Sequence, residues 1–134
     1  MRIGVPAEIK ANEHRVGLIP SSVKELTSKG HDVYVETSAG CGISASDADY
    51  VEAGAEILST AEAVFQQAQM IVKVKEPQPV EWARLTSEQI LFTYLHLAAD
   101  ANQASGLMAS GCSAIAYETV TDEQGGLPLL APMS

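Results

Sequence analysis

A doubly wound α/β fold, with a largely parallel sheet and helices on both faces, is predicted by two features of the sequence. Three segments repeat one order of signals: a side chain able to cap a helix, about two helical turns, a glycine, and then a short apolar run. Short strands separated by short helices call for right-handed crossovers and parallel pairing. The 134 residues, 46% of them hydrophobic, suffice for one domain with a real core.

Each element has its own local reason. "MRIGVP" opens the chain with a strand over Arg2–Pro6. In "SSVKELTSKGHDVYVE", Ser22 with Glu25 starts a helix, Gly30 ends it, and Val33–Glu36 forms the second strand. "SDADYVEAGAEIL" repeats this with Ser46 and Asp49, Gly54, and a strand over Ala55–Leu58. "STAEAVFQQA" places Ser59 and Glu62 as a capping box and Ala61, Val64, Phe65 and Ala68 on one face, then leads into a strand over Met70–Lys75. A fifth strand spans Ile90–Leu95. "DANQASGLMASGCSAIAY" closes the series with Asp100 and Gln103, Gly111, and a strand over Ala114–Glu118. The result is a Rossmann-like or flavodoxin-like sheet. The tail "GGLPLLAPMS" follows neither period and reads as cut from something longer.

Charge and composition exclude several classes. The net charge is −9, with 17 acidic against 8 basic side chains and no Lys/Arg cluster, which argues against a nucleic-acid partner. Cys41 and Cys112 match no metal spacing, and three scattered histidines add no ligand cluster, so no metal is expected. The N-terminus lacks the apolar core of a signal peptide, and no apolar run reaches the ~18 residues of a membrane span. A soluble, cytoplasmic protein with reduced thiols is the expectation.

In open parallel sheets ligands bind beyond the carboxyl ends of the strands. That rule selects Arg15 in "KANEHRVG" after the first strand, Lys73 and Lys75 ending the fourth, His96 after the fifth and Glu118 at the end of the sixth. Lys73 and Lys75 stand two apart, hence on one face of an extended strand, where an apolar run is the rule. Taken singly, each has a plain alternative: lysines with their heads in water, a histidine bonded to backbone, an arginine in a solvated loop. Together they compose a chemistry, because Arg holds a carboxylate with two donors, Lys stabilises a carbonyl oxygen and His moves a proton near neutral pH. A small 2-oxo acid requires those functions. "GCGISA", Gly40–Ala45, matches a dinucleotide fingerprint in spacing, but it does not follow the first strand, and "AEIL" ends in Ser59 with no acidic residue for a ribose. It reads as a connecting loop.

"MRIGVPAEIKANEHRVGLIPSSV", "VKVKEPQP", "LFTYLHLAAD" and "AIAYETV" followed by "LPLLAPMS" resemble, in unbroken order over essentially the whole chain, the N-terminal region of the alanine dehydrogenase and nicotinamide nucleotide transhydrogenase family. The resemblance implies a two-domain, homo-oligomeric enzyme, hexameric in the family, that interconverts L-alanine and pyruvate with NAD. Residues 1–127 would be its substrate domain and 128–134 the start of the crossover to a nucleotide domain. Carried over, Arg15 would bind the substrate carboxylate, Lys75 the carboxylate and carbonyl side, and His96 would be the acid/base. Met133 would approach the substrate and Ser134 the nicotinamide. Transhydrogenase relatives share the opening and "VKEP" but not "TYLHLA", so His96 distinguishes a dehydrogenase of amino acids from an enzyme passing hydride between two nucleotides. A stand-alone module that binds a 2-oxo or amino acid through Arg15 and Lys75 is the reading outside enzymology.

Overall fold

In the computed structural model, which describes residues 1–97 and 100–129, six strands form one sheet. They are β1 (Arg2–Val5), β2 (Asp32–Glu36), β3 (Glu56–Leu58), β4 (Met70–Val72), β5 (Ile90–Thr93) and β6 (Ser113–Ala116), in the order β3-β2-β1-β4-β5-β6. Every pairing is parallel. The helices between them are α1 (Pro20–Ser28), α2 (Asp47–Glu52), α3 (Ala61–Gln67), α4 (Pro79–Trp82) and α5 (Ala101–Ser110). The chain runs outward from β1 to β3, returns through α3, and runs outward again from β4 to β6. That reversal, with right-handed crossovers, places α1 and α2 on one face and α3, α4 and α5 on the other.

Two apolar clusters follow from this arrangement. Val23 of α1 and Tyr50 of α2 pack on Ile3, Val5, Val33 and Val35 of the sheet. Under α3 to α5 lie Phe65, Ala68, Ile71, Leu85, Leu91 and Leu107. Gly4 belongs to the second face, where a Cβ would run into Ala68 and Val64, so α3 can approach β1 only because residue 4 has no side chain. The first face is covered over β1 to β3 alone. On β4 to β6, Met70 and Phe92 are only half-buried and Ile115 is 44% exposed, with no helix of the described residues over them.

The caps show where local reading succeeds and where it slips. Ser46 accepts from the Asp49 N–H and Asp49 returns the bond, the capping box expected for α2. Asp100 accepts from the Asn102 and Gln103 N–H groups at α5. Gly30, Gly54 and Gly111 all take positive φ past their helices, as expected. At α1, however, the cap is Ile19 and not Ser22, because Pro20 at the first helical position brings its own fixed φ and starts the helix two residues before Ser22. At α3 the cap is Thr60 and not Ser59; its hydroxyl accepts from the Ala63 N–H. Helix α4 was not foreseen, although Glu81 reaches back across Pro79 to accept the Gln78 N–H.

Candidate active site

The largest departure from expectation lies at the end of β4. The strand stops at Val72, and the two lysines after it do not share a face. Glu8, three residues past β1, is the cause. Its carboxylate accepts the backbone N–H groups of both Val74 and Lys75, at 3.1 and 3.0 Å, and consecutive amides cannot point the same way in an extended strand. The turn sends Lys73 inward: its ammonium meets Glu8 at 3.1 Å and Glu81 of α4 at 3.4 Å, and all three side chains are 1% exposed. Burial pushes the Glu81 carboxyl above its ordinary range, against the pull of Lys73. Lys73 is thus a structural cation with two partners.

Lys75 goes the other way. Its ammonium stands 5.2 Å from the centroid of the Tyr94 ring, a cation–π geometry, while its carbonyl accepts from Thr93 at the end of β5. The Tyr94 hydroxyl lies 2.8 Å from Nδ1 of His96, and the two rings stack with centroids 5.5 Å apart. His96 itself is exposed, and its backbone has φ +50, a left-handed conformation rare for a residue with a side chain. Glu118 holds it there: one carboxylate accepts the N–H groups of Leu95 and His96, at 3.0 and 2.6 Å. Glu118 lies in a 3-10 turn, Tyr117–Thr119, just past β6, which ends at Ala116 and not at Glu118.

Arg15 reaches the same carboxyl edge on the loop between β1 and α1. Glu13 grips it through two parallel bonds, Nε to Oε2 at 2.9 Å and Nη2 to Oε1 at 2.7 Å, and also accepts the Arg15 N–H. The Arg15 guanidinium, helped by the charge of Lys75, holds the Glu13 carboxyl at about 2, and Glu13 in turn raises Arg15. Gly17 seats this loop against β4, since a Cβ there would run into the Val72 carbonyl. Arg15 stands at the rim of a cavity of about 670 Å³ whose walls are chiefly apolar, among them Ile3, Met70, Val72, Phe92 and Tyr117. This cavity extends from the flank of α1, where Leu26 lines it, over the face of β4 and β5 that no described helix covers. Lys75, Tyr94 and His96 are not among its walls.

Arg15, Lys75 and His96 therefore stand at one edge of the sheet; Glu13 pairs with Arg15, and Tyr94 joins Lys75 to His96. Met133 and Ser134 lie outside the described residues. The sequence reading missed Glu8, Glu13 and Tyr94. Two of these carried a signal, because Glu13 and Tyr94 each stand two residues before a chosen site residue, the spacing that puts extended neighbours on one side. Glu8 carried none. The "GCGISA" loop forms a 3-10 turn over Cys41–Ile43, and its glycines are used against the chain itself: a Cβ on Gly42 would strike the His14 carbonyl and one on Gly40 the Ala45 carbonyl. Both glycines thus serve close packing within the chain. Among the described residues no group of three His, Cys, Asp or Glu side chains could hold a metal ion, and no helix is long and apolar enough to cross a membrane.

Comparison with known proteins adds independent findings. A family model described as alanine dehydrogenase/PNT, N-terminal domain, matches residues 4–134. An alanine dehydrogenase of Halomonas elongata is 54% identical over the whole chain, and one of Mycolicibacterium smegmatis 52%. The chain spans 36% of the length of each of these relatives. A solved structure of an L-alanine dehydrogenase superposes with a TM-score of 0.96 at 52% identity, over 99% of this chain and 37% of that one. A transhydrogenase from Sinorhizobium meliloti superposes less closely, with a TM-score of 0.82 at 30% identity over 88% of this chain and 35% of that one.

Proposed function

Because the chain belongs to the alanine dehydrogenase/PNT N-terminal domain family, we propose that it is the substrate-binding domain of an NAD-dependent alanine dehydrogenase. In this reading residues 1–127 form the domain and 128–134 begin the crossover to a nucleotide domain. The full-length enzyme is then a cytoplasmic homo-oligomer, converting L-alanine, NAD⁺ and water to pyruvate, ammonium, NADH and a proton. The observation that carries the reading is the Lys75–Tyr94–His96 array: a cation and an imidazole against one phenol ring, with Arg15 at the same strand ends.

The glycines of the loop Gly40–Ala45 are used for packing against His14 and Ala45. We assign NAD to the part of the enzyme beyond this chain, with Ser134 as the contact the resemblance implies. What this chain's residues do is hold the acid and move protons. The guanidinium edge of Arg15 not taken by Glu13 receives the substrate carboxylate. As water adds to the iminium carbon, His96 accepts the first of the water's protons and returns it to the nitrogen; the nitrogen then leaves as ammonia while His96 takes the second proton, from the hydroxyl that becomes the carbonyl, and ammonia takes up a proton to become ammonium. Lys75 stabilises the oxygen that becomes the carbonyl of pyruvate. The hydroxyl of Tyr94 occupies Nδ1, which leaves Nε2 of His96 for this exchange.

The test is alanine-dependent NAD reduction by the full-length protein, parent against His96→Ala. A fall in kcat on the order of 10²–10⁴-fold with an unchanged melting temperature is expected. Parent-like turnover in the variant would refute the role given to His96, and a parent with no alanine activity would refute the function.

A further inference from the structure

Arg15 does not present its whole guanidinium to solvent. Glu13, with a side chain only 5% exposed, holds the edge formed by Nε and Nη2 in a two-bond grip, while Arg15 is 47% exposed. What remains for a ligand is the opposite edge, Nη1 with the second hydrogen of Nη2. Glu13 is also close enough to Lys75 for that ammonium to stabilise its charge. Two positive charges and the Glu13 carboxylate thus surround any carboxylate that docks on Arg15, with Glu8, itself paired to Lys73, acting on Arg15 more weakly.

The other acids at this edge are already committed. Glu8 is matched by Lys73 and by the amides of Val74 and Lys75. Glu118 is bound to the amides of Leu95 and His96. Glu76 is paired with Lys10. Glu13 is the acid in direct contact with Arg15, and it leaves the Arg15–Lys75 pair one net positive charge, the complement of a single carboxylate.

We propose that Glu13 sets the charge selectivity of the site: by occupying one edge of Arg15 it admits a 2-oxo acid with one carboxylate and disfavours one with two. The inference rests on the dehydrogenase reading above and adds to it a positioning residue that acts through Arg15. An arginine and a lysine without Glu13 would welcome a second negative charge, whereas with Glu13 present that charge has no unbalanced cation to meet and faces a carboxylate at short range.

The experiment uses the full-length enzyme and two substrates for reductive amination, pyruvate and oxaloacetate, which is pyruvate bearing a second carboxylate on its methyl carbon. Glu13→Gln keeps the shape and removes the charge; it should raise the ratio of kcat/KM for oxaloacetate to that for pyruvate by about tenfold or more. Glu13→Asp restores the charge and should hold the ratio within about twofold of the parent. A Glu13→Gln enzyme that loses activity equally toward both acids would show that Glu13 only supports the loop, and would overturn the proposal. If Glu13→Gln does not fold, the parent answers through competitive inhibition against pyruvate. Succinate should then bind about tenfold more weakly than propionate, and succinate binding as well as or better than propionate would overturn the proposal. Parent activity with pyruvate, measured in the same series, tests the dehydrogenase reading separately.

Discussion

Lys73 donates to the carboxylate of Glu8 at 3.1 Å while both side chains are 1% exposed, so a lysine that ends a strand at the ligand edge serves as an interior counter-ion. Removing one partner of such a pair leaves an uncompensated buried charge. Lys73→Met should therefore destabilise the domain by about 3–5 kcal/mol. Glu81→Gln removes the partner whose ionisation burial already opposes, and leaves the Lys73–Glu8 bond in place; about 1 kcal/mol or less is expected. Urea unfolding of the two variants checks this, and equal losses would show that Glu8 and Glu81 share the lysine evenly.

Lys75 should behave differently from its neighbour. If it stabilises oxygen charge during the chemical step, Lys75→Ala in the full-length enzyme should lower kcat and raise the KM for pyruvate, costing on the order of 10²-fold or more in kcat/KM. Lys75→Arg should not restore the rate, because the planar fork cannot occupy the place of a compact ammonium beside Tyr94 and the Arg15–Glu13 pair. Steady-state kinetics with saturating NADH decide the matter; a kcat within about twofold of the parent for both variants would make Lys75 a solvated cation of the turn after β4.

Two glycines separate close packing from backbone freedom. A Cβ at Gly17 would press on the Val72 carbonyl, so Gly17→Ala should push the Arg15 loop away from β4, raise the KM for pyruvate by about tenfold and cost about 1–3 kcal/mol. Gly30 has φ +91 and nothing within 4 Å of the added atom. Gly30→Ala should cost about 1 kcal/mol through the backbone alone and leave KM unchanged. Kinetics paired with melting curves test both; a KM shift in the Gly30 variant would contradict the assignment.

The Glu13–Arg15 pair gives an acid-stability signature. Arg15 holds the Glu13 carboxyl at about 2 in the folded protein, below its ordinary 4.5. A depressed carboxyl contributes stability that is fully present above the unfolded value and is lost as pH falls through the folded one. The difference in stability between parent and Glu13→Gln should thus be constant above about pH 5 and shrink between about pH 4.5 and 2. Because Arg15 is about half exposed, the difference should be modest, about 1 kcal/mol or less. Denaturant melts at pH 6 and pH 2.5 measure it; a difference that grows in acid would reverse the sign assigned here.

If it is the substrate-binding domain proposed above, the 134-residue chain by itself should show no alanine-dependent NAD reduction, because hydride transfer also needs a nicotinamide held against the substrate carbon. Its affinity for pyruvate should be weaker than that of the full-length enzyme, by calorimetry on each. Tight binding by the chain alone would favour a stand-alone binding module.

Much of the architecture was legible in the sequence because its causes are local. A cap and the amide it satisfies lie two or three residues apart, as in Ser46 with Asp49 and Asp100 with Gln103, and a glycine past a helix needs only its own φ. From these come the order of elements, the parallel crossovers, and the delivery of Arg15, Lys75 and His96 to one edge of the sheet. The slips at Ser22 and Ser59 are of the same local kind, one or a few residues at a helix start, where Pro20 and Thr60 competed better. What only the tertiary structure decided is the direction of each side chain at that edge. Glu8 meets Lys73 from 65 residues away, and Glu118 reaches His96 from 22. No periodicity encodes such meetings, because they depend on which strands the topology makes neighbours and on which carboxylate finds an unsatisfied amide once they are. That is why the alternation of a strand predicts Lys73 and Lys75 on one face, and why a single buried carboxylate sends one inward and the other toward Tyr94.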